Sequence, residues 1–166
     1  YEARVMREQQ SIMQAQKGAG VWPYVQRLTY INYDEDKNTV ELIHLIKNNG
    51  IGPAILGDVD YRYAGQSVES YSVDSEIKDR HPELTVEEIQ NQQLDQMVLA
   101  AGQSVRVFTI ELSTEENVFE SSVNFNEIAN AYSSHFCYCS VFGECWQYKE
   151  DKIPTKGGEC DNLLVQ

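Results

Sequence analysis

Alternation of apolar and polar residues predicts β-strands along most of the chain. The segment 21–33 alternates through aromatic and β-branched residues, which favour strands, and Pro23 places its start toward a sheet edge. One face of this strand carries Trp22, Tyr24, Leu28 and Tyr30. The segment 39–50 begins with a run that is apolar on both faces, which is typical of a strand at the centre of a sheet.

Further strands are predicted in the second half of the chain. The segment 104–112 is a clear strand, and 135–141 and 145–150 are two short strands around a Phe-Gly turn. The segment 58–73 combines strand and loop features. Short strands separated by turns are typical of a mainly β protein with antiparallel sheets.

An N-terminal helix is predicted over residues 1–19, which are rich in helix-forming residue types. Its narrow apolar stripe consists of Val5, Met6, Ile12 and Met13. This segment either packs on the domain, frays, or forms a stalk that continues a membrane helix. We therefore expect two parts: a helix or stalk over 1–19 and a single β-sandwich domain over 20–166.

A second helix is predicted as an insertion over 83–101. Thr85 and Glu88 have the spacing of a capping box, and Gly102 is placed to end the helix. The predicted inward face consists of Val86, Ile89, Leu94 and Met97. The segment 125–134 fits either a short helix or a loop at a strand edge.

A turn with a distinctive composition follows the central strand. Its residues are Asn48, Gly50, Gly52 and Pro53. The two glycines allow positive φ angles, and the proline fixes its own φ. A phosphate-binding loop is not indicated, because Pro53 stands where a helix should begin to donate amides.

Charge and length restrict the classes of function. The chain has 166 residues, which suits one domain with a sizeable core. The formal net charge is −13, so the protein lacks the basic surface that nucleic acids and anionic membranes require. No apolar run approaches the roughly 20 residues that span a bilayer. We expect membrane contact only through a helix upstream of Tyr1.

The four cysteines fit disulfides better than a metal or catalytic site. Their spacings, C-x-C, C-x₅-C and C-x₁₄-C, lack the C-x₂-C knuckle of zinc sites and the C-x-x-C of thioredoxin-like proteins. His135 precedes Cys137 by two residues, but the sequence offers no third group to orient a histidine base. Two disulfides imply an oxidising, extracytoplasmic compartment.

The hairpin geometry favours one pairing of these cysteines. A three-residue loop over 141–143 places Cys139 opposite Cys145, at a separation suited to a disulfide. Cys137 would then pair with Cys160 and hold the C-terminal tail. The crossed pairing, Cys137 with Cys145 and Cys139 with Cys160, remains open.

Other candidate sites have simpler structural interpretations. Asp34, Asp36 and Asn38 alternate as in a calcium loop, but the required Gly and Glu are missing, so a solvated turn is favoured. His44 is more typical of a hydrogen-bonded core residue than of a ligand. No nucleophile, metalloprotease or dinucleotide motif occurs. We expect no enzyme activity, no cofactor and no metal.

The motif N-x-G-x-G-P-A at 48–54 and the motif YCSVFGECW at 138–146 resemble extracytoplasmic domains of uncharacterised bacterial membrane-anchored proteins. The opening residues are similar to the segment that follows the membrane helix in such proteins. The resemblance implies an immunoglobulin-like antiparallel β-sandwich outside the inner membrane, and it implies no catalytic residues.

These observations predict an interaction or sensor domain that lies in the periplasm or on the outer face of the inner membrane. Its partner is expected to be an unidentified protein. One alternative is a small-ligand or glycan-binding module that uses the aromatic residues. Another is a thiol or zinc-dependent enzyme that uses the cysteine cluster with His135.

Overall fold

The computed structural model describes residues 4–10, 22–69, 72–94, 96–149, 153–158 and 160. The helices among them are α1 (4–10), α2 (Val73–Arg80) and α3 (Phe125–Ala131). The strands are β1 (Val25–Asp34), β2 (Thr39–Asn48), β3 (Ala54–Tyr63), β4 (Gln66–Ser67), β5 (Thr85–Asn91), β6 (Val98–Leu99), β7 (Ser104–Ser113), β8 (Tyr132–Cys139), β9 (Cys145–Tyr148) and β10 (Thr155–Lys156).

The strands form two antiparallel sheets. Sheet I has the order β1-β2-β7-β5, and sheet II has the order β10-β9-β8-β3-β4, with β6 paired to β3. The inner faces of the sheets meet in one buried cluster, which includes Leu42 and Ile110 of sheet I and Leu56 and Tyr138 of sheet II. Burial of this apolar surface is the main stabilising term. The predicted β-sandwich is confirmed.

The central position of β2 is also confirmed. β2 lies between β1 and β7, pairs with β1 along its whole length and pairs with β7 from Thr39 to Lys47. Leu42 and Ile46 face the core, and Ile43 on the opposite face is buried as well. A strand with two apolar faces needs neighbours on both sides, and this requirement accounts for its place in the sheet.

The aromatic face of β1 points away from the core. Tyr30 is 50% exposed, whereas Val25 is buried and Ile31 packs against the core. The inward positions between Val25 and Ile31 are occupied by Arg27 and Thr29, whose side chains contact the buried side chain of His44. Alternation alone places polar residues such as Arg27 and Thr29 on the solvent side of a strand. The pattern of β1 therefore indicates the aromatic face as the inward one, which is the opposite of what the structure shows.

The helix predicted over 83–101 is wrong. The segment contains β5, an edge strand of sheet I, and β6, which pairs with β3. The helix of this region, α2, lies just before it in the sequence. Gly102, placed at the end of the predicted helix, lies in a turn with a φ of +79°.

A β-bulge explains the misleading spacing. Val86 and Ile89 both pack against the core, opposite Leu112 and Ile110 of β7. Glu87 is an extra residue on β5 between these pairs. The bulge turns a period of two into a spacing of three, which imitates one turn of a helix.

The remaining helices differ in their environment. All residues of α1 are exposed, including Val5 and Met6 of the predicted stripe, whereas Ile12 and Met13 lie outside the described residues. The undecided segment 125–134 forms α3 and then enters β8. Asn124 caps α3, because its side chain accepts a hydrogen bond from the backbone N–H of Glu127.

The cysteine-rich segment forms the hairpin of β8 and β9. Cys139 lies directly opposite Cys145 and forms a disulfide with it, with a Cα–Cα distance of 4.0 Å. Cys137 forms the other disulfide with Cys160 of the tail, at a Cα–Cα distance of 5.5 Å. The structure therefore has the pairing that the hairpin geometry favours.

Candidate functional site

Two aromatic rings form the floor of a groove at one end of the sandwich. Tyr138 of β8 and Trp146 of β9 are paired across the hairpin, and their rings stack with centroids 5.5 Å apart. Both side chains are buried. Burial raises the pKa of Tyr138 to about 12.

The first wall comes from the chain before β1 and the turn after β2. Trp22 stacks on Trp146 with centroids 5.6 Å apart and is 48% exposed. Ile51 is 72% exposed and lies beside it, because its backbone N–H donates to the carbonyl oxygen of Trp22 at 3.0 Å. Two large apolar side chains are thus held open to solvent at one edge of the groove.

Asn48 fixes this wall from inside the protein. Its Oδ1 accepts hydrogen bonds from the backbone N–H groups of Tyr24 and Gly50, at 3.2 and 3.0 Å. Its Nδ2 donates to the carbonyl oxygens of Gly52 and Leu99, at 2.8 and 3.0 Å. The buried amide therefore uses two donors and two acceptor bonds, which is its full ordinary capacity.

Gly50 is required by close approach. A Cβ at this position would lie 2.4 Å from both the carbonyl oxygen of Trp22 and the backbone nitrogen of Tyr24. Neither Gly50 nor Gly52 uses the positive φ that glycine allows. The predicted turn residues thus act together, as the support of one wall of the groove.

The second wall comes from the C-terminal tail. Ile153 is 79% exposed and lines the groove with Pro154 and Lys156. β10 pairs with β9, with Lys156 opposite Trp146. Lys156 Nζ lies 3.4 Å from a carboxylate oxygen of Glu144, and both side chains are largely exposed, so the ion pair is weak.

The groove has a volume of about 620 Å³. This volume is in the range of roughly 300–1,000 Å³ typical of small-molecule sites. Lys156 is the one charged residue among the described residues that line it. The indole N–H of Trp146 is buried and has no acceptor among the described residues. The groove therefore offers apolar and aromatic surface with one positive charge at its rim.

The side chain of His44 belongs to a hydrogen-bonded cluster inside the core. His44 is buried, and its Nδ1 lies 3.0 Å from a guanidinium nitrogen of Arg27 and 3.1 Å from the hydroxyl of Thr29. Arg27 also donates to the carbonyl oxygen of Tyr132 at 2.7 Å. This polar cluster joins the two sheets inside the core.

The acidic turn after β1 is tied to a neighbouring loop. The side chain of Asn38 donates to the carbonyl oxygen of Glu116 at 3.0 Å and accepts from the backbone N–H of Val118 at 2.9 Å. Asp34 accepts from the backbone N–H of Lys37 at 3.0 Å. These hydrogen bonds of Asp34 and Asn38 stabilise the turn.

His135 and the cysteines lie together on the outer face of sheet II. His135 and Cys137 line a small surface pocket with Asp58 and Gln147. Within the described ranges, the one cluster of possible metal ligands consists of Cys137, Cys139 and Cys160, and all three form disulfides.

Comparisons with protein families, with curated proteins and with solved structures give no match to this chain. The resemblance to extracytoplasmic domains of membrane-anchored proteins therefore stays a prediction. Among the helices that the structure describes, none has the length and apolar character needed to cross a bilayer.

The sequence alone does not predict the groove, although several of its residues stand out. The alternating pattern puts Trp22 and Tyr24 on a strand face and indicates no role for Ile51, Ile153 or Lys156. These residues lie far apart in the sequence and meet only through the sheet topology. The available signal was the presence of large apolar residues in turns next to Gly and Pro, where solvent exposure is expected.

Proposed function

We propose that this protein is an extracytoplasmic, non-enzymatic sensor or interaction domain that binds a small amphiphile in the aromatic groove. The ligand would have an apolar or aromatic body and one acidic group. The observation that carries this proposal is the exposed Trp22, stacked on the buried Trp146 in a groove whose charged lining residue is Lys156.

The charge distribution favours this ligand class. The whole chain has a net charge of −13, so most of its surface repels an anion. The groove lacks an acidic lining residue among the described residues, and Lys156 can exchange its weak partner Glu144 for a ligand carboxylate or sulfonate. Glycan binding is less well supported, because sugar hydroxyls need more hydrogen-bonding groups than this apolar lining offers.

The disulfides support the proposed compartment. Two of them, with no free cysteine, are typical of proteins that fold outside the cytoplasm. Intact mass after alkylation should find no labelled cysteine without reductant and four with it. Four free thiols and a bound zinc ion would contradict both the disulfides and the extracytoplasmic location.

The sensor role rests on the position of Trp22. This residue lies in the sequence between the N-terminal segment and the first strand of the domain. A ligand that covers Trp22 would contact the start of the domain, next to the proposed stalk and membrane anchor. We propose that a protein partner then recognises the occupied state.

We also propose that the sandwich is immunoglobulin-like. With β1, β2, β3, β5, β7, β8 and β9 taken as strands A to G, sheet I has the order A-B-E-D and sheet II contains G-F-C. Constant-type immunoglobulin domains have this order. The chain departs from them in its disulfides, which join strand F to strand G and to the tail rather than B to F.

Two fluorescent probes test the groove. Anilinonaphthalene sulfonate has an aromatic body with an anionic group, and N-phenylnaphthylamine is its neutral counterpart. Both should bind one site on the native protein, and Trp22→Ala should weaken each by about tenfold, as expected for the loss of a stacked indole. Lys156→Gln should weaken only the anionic probe, by a few-fold.

A matched control is available on the opposite sheet. Tyr30 is about as exposed as Trp22 but lies on the outer face of sheet I. Tyr30→Ala should leave both affinities unchanged. Equal losses in Trp22→Ala and Tyr30→Ala, or wild-type binding by Trp22→Ala, would contradict a specific groove site.

A further inference from the structure

The outer face of sheet II carries two adjacent disulfides. Cys137 and Cys139 are two residues apart on β8, so their side chains lie on the same face. The Sγ atoms of Cys137, Cys139 and Cys160 all lie within 4.8 Å of one another. One sulfur of the hairpin disulfide is therefore a close neighbour of both sulfurs of the tail disulfide.

A glycine lets the tail disulfide lie this close to the sheet. Gly57 lies at the irregularity in the pairing of β3 with β8. A Cβ at Gly57 would lie 3.2 Å from both the carbonyl oxygen of Cys137 and the Cβ of Cys160. A Cβ here would require the Cys137 backbone and Cys160 to shift by a few tenths of an ångström.

Each disulfide has one buried and one half-buried member. Cys139 is 2% exposed and Cys137 is 8% exposed, whereas Cys145 and Cys160 are half-buried. A thiolate from solvent therefore meets Cys145 before it meets Cys139. Attack at Cys145 releases Cys139 as a thiolate inside the sulfur cluster.

We propose that this face is a thiol–disulfide exchange site for small thiols. In the first step an external thiolate bonds to the sulfur of Cys145, the Cys139–Cys145 bond breaks, and the electron pair leaves on Cys139. In the second step Cys139 bonds to Cys160, the Cys137–Cys160 bond breaks, and the electron pair leaves on Cys137. The products are a mixed disulfide at Cys145, a Cys139–Cys160 disulfide and a Cys137 thiolate.

Gln147 is placed to favour the second step. It lies opposite Cys137 on β9, and its Nε2 is a donor 3.2 Å from the Sγ of Cys137. A hydrogen bond to a charged sulfur is stronger than one to a neutral sulfur, so Gln147 stabilises Cys137 as the leaving thiolate. Gln147 acts here as a positioning residue.

The variant Cys145→Ser tests the second step alone, because it leaves Cys139 as a single thiol beside the tail disulfide. The purified variant is held at pH 8.5, quenched with acid, alkylated and mapped by peptide mass under non-reducing conditions. We expect two isomers: Cys137–Cys160 with alkylated Cys139, and Cys139–Cys160 with alkylated Cys137. The second isomer should form faster as pH rises, since the thiolate is the nucleophile.

Cys139→Ser is the matched control. It leaves Cys145 as the single thiol, and Cys145 is not a member of the close sulfur cluster. This variant should keep only the Cys137–Cys160 disulfide. A folded Cys145→Ser protein in which alkylation goes entirely to Cys139 after hours at pH 8.5 would overturn the proposal.

The wild-type protein supplies a test that needs no variant. After limiting treatment with glutathione and rapid alkylation, we expect glutathione on Cys145 together with a Cys139–Cys160 disulfide. Glutathione on Cys145 with an alkylated Cys139, or on Cys160 alone, would count against the exchange. This chemistry is independent of the groove ligand, so its failure would leave the proposed function intact.

The role of Gln147 is tested in the same background. Adding Gln147→Met to Cys145→Ser should lower the ratio of the Cys139–Cys160 isomer to the Cys137–Cys160 isomer by at least about fivefold. A purely structural role would leave this ratio unchanged while lowering the stability of both isomers.

Discussion

The two sheets of the sandwich are stabilised in different ways. In sheet I the strands β1, β2 and β7 are ten residues long and pair over all or nearly all of their lengths. In sheet II, β3 and β8 are long, but β4, β9 and β10 have two to four residues. All four cysteines belong to sheet II and its tail. Covalent bonds are thus found where backbone pairing is short.

The polar interactions show the same division. A central strand of sheet I, β2, ends at Asn48. The buried side-chain amide of this residue makes four hydrogen bonds that join three chain segments. The outer face of sheet I tolerates a cross-strand row of like charges, Glu41, Glu111 and Glu88. Long strand pairing and the fully hydrogen-bonded side chain of Asn48 stabilise sheet I, whereas the C-terminal tail beside sheet II depends on a disulfide.

The largest effect is expected at Asn48. Asn48→Ala would leave two backbone N–H groups and two carbonyl oxygens without their partners, and each such group costs about 1 kcal/mol or more. We expect the free energy of unfolding to fall by about 4 kcal/mol, measured by denaturant titration. The neighbouring Asn49→Ala removes an exposed side chain and should change it by less than about 0.5 kcal/mol. Similar losses in both variants would show that the buried amide has no special role.

The two disulfides should differ in their contribution. They close loops with sequence separations of 23 and 6, and the longer loop restricts the unfolded chain more. Replacing Cys137 and Cys160 together with Ser should cost about 3 kcal/mol, and replacing Cys139 and Cys145 together about 2 kcal/mol. Denaturant titration of the two double variants measures both values. The reverse order would mean that the tail contributes little to the folded domain.

The row of glutamates should be mildly destabilising. Glu111 lies opposite both Glu41 and Glu88, and like charges across strands repel. Glu111→Gln should raise the free energy of unfolding in urea by about 0.5 kcal/mol at low salt. This gain in stability should vanish in 1 M NaCl, because the Debye length there is only about 3 Å and the repulsion between the glutamates is screened.

Glu120 provides the control for this effect, because it is exposed and lies outside the sheets. Glu120→Gln should change the stability by less than Glu111→Gln at either salt concentration. A gain that persists at high salt would assign the effect of Glu111→Gln to side-chain packing instead of charge.

The smallest effect concerns Asp60 on sheet II. Burial acts to raise the pKa of Asp60, but hydrogen bonds from Ser67 and Arg62 and the charges of Arg62 and His135 outweigh it and lower this pKa below 3.8. The ionised carboxylate therefore stabilises the folded state above this pH, and the contribution is lost as pH falls through the folded-state pKa.

Urea unfolding at neutral and acidic pH measures this contribution. Asp60→Asn should reduce the difference in stability between the two pH values, whereas Asp36→Asn in the exposed turn after β1 should reduce it less. An unchanged pH dependence in Asp60→Asn would mean that these partners do not favour the carboxylate in the folded state.

The sequence predicted the parts of the fold that local patterns determine. The two-faced apolar run of β2 required neighbours on both sides, and the spacing of Cys139 and Cys145 around a short loop matched the hairpin. The prediction failed where a local irregularity changed the period. The extra Glu87 in β5 produced a helical spacing, and the polar residues Arg27 and Thr29 hid the inner face of β1.

The candidate groove could be predicted only in part. The turn motif around Asn48 and Gly50 was recognised, but its role depends on the chain before β1 passing within van der Waals contact of Gly50. Ile51 and Ile153 are about a hundred residues apart and line the same groove, because Ile51 lies beside Trp22, which stacks on Trp146, and the tail that carries Ile153 pairs with β9. Such tertiary proximity has no signal in a single sequence.

The bulge in β5 has a further consequence for how copies of this protein meet one another. β5 is one of the two edge strands of sheet I, so it presents backbone groups that a second chain could extend into a continuous sheet. Glu87 distorts that edge, and Glu88 beside it adds charge to a molecule that is already strongly anionic. We therefore expect the same irregularity that gives β5 a helical spacing to disfavour edge-to-edge pairing between copies.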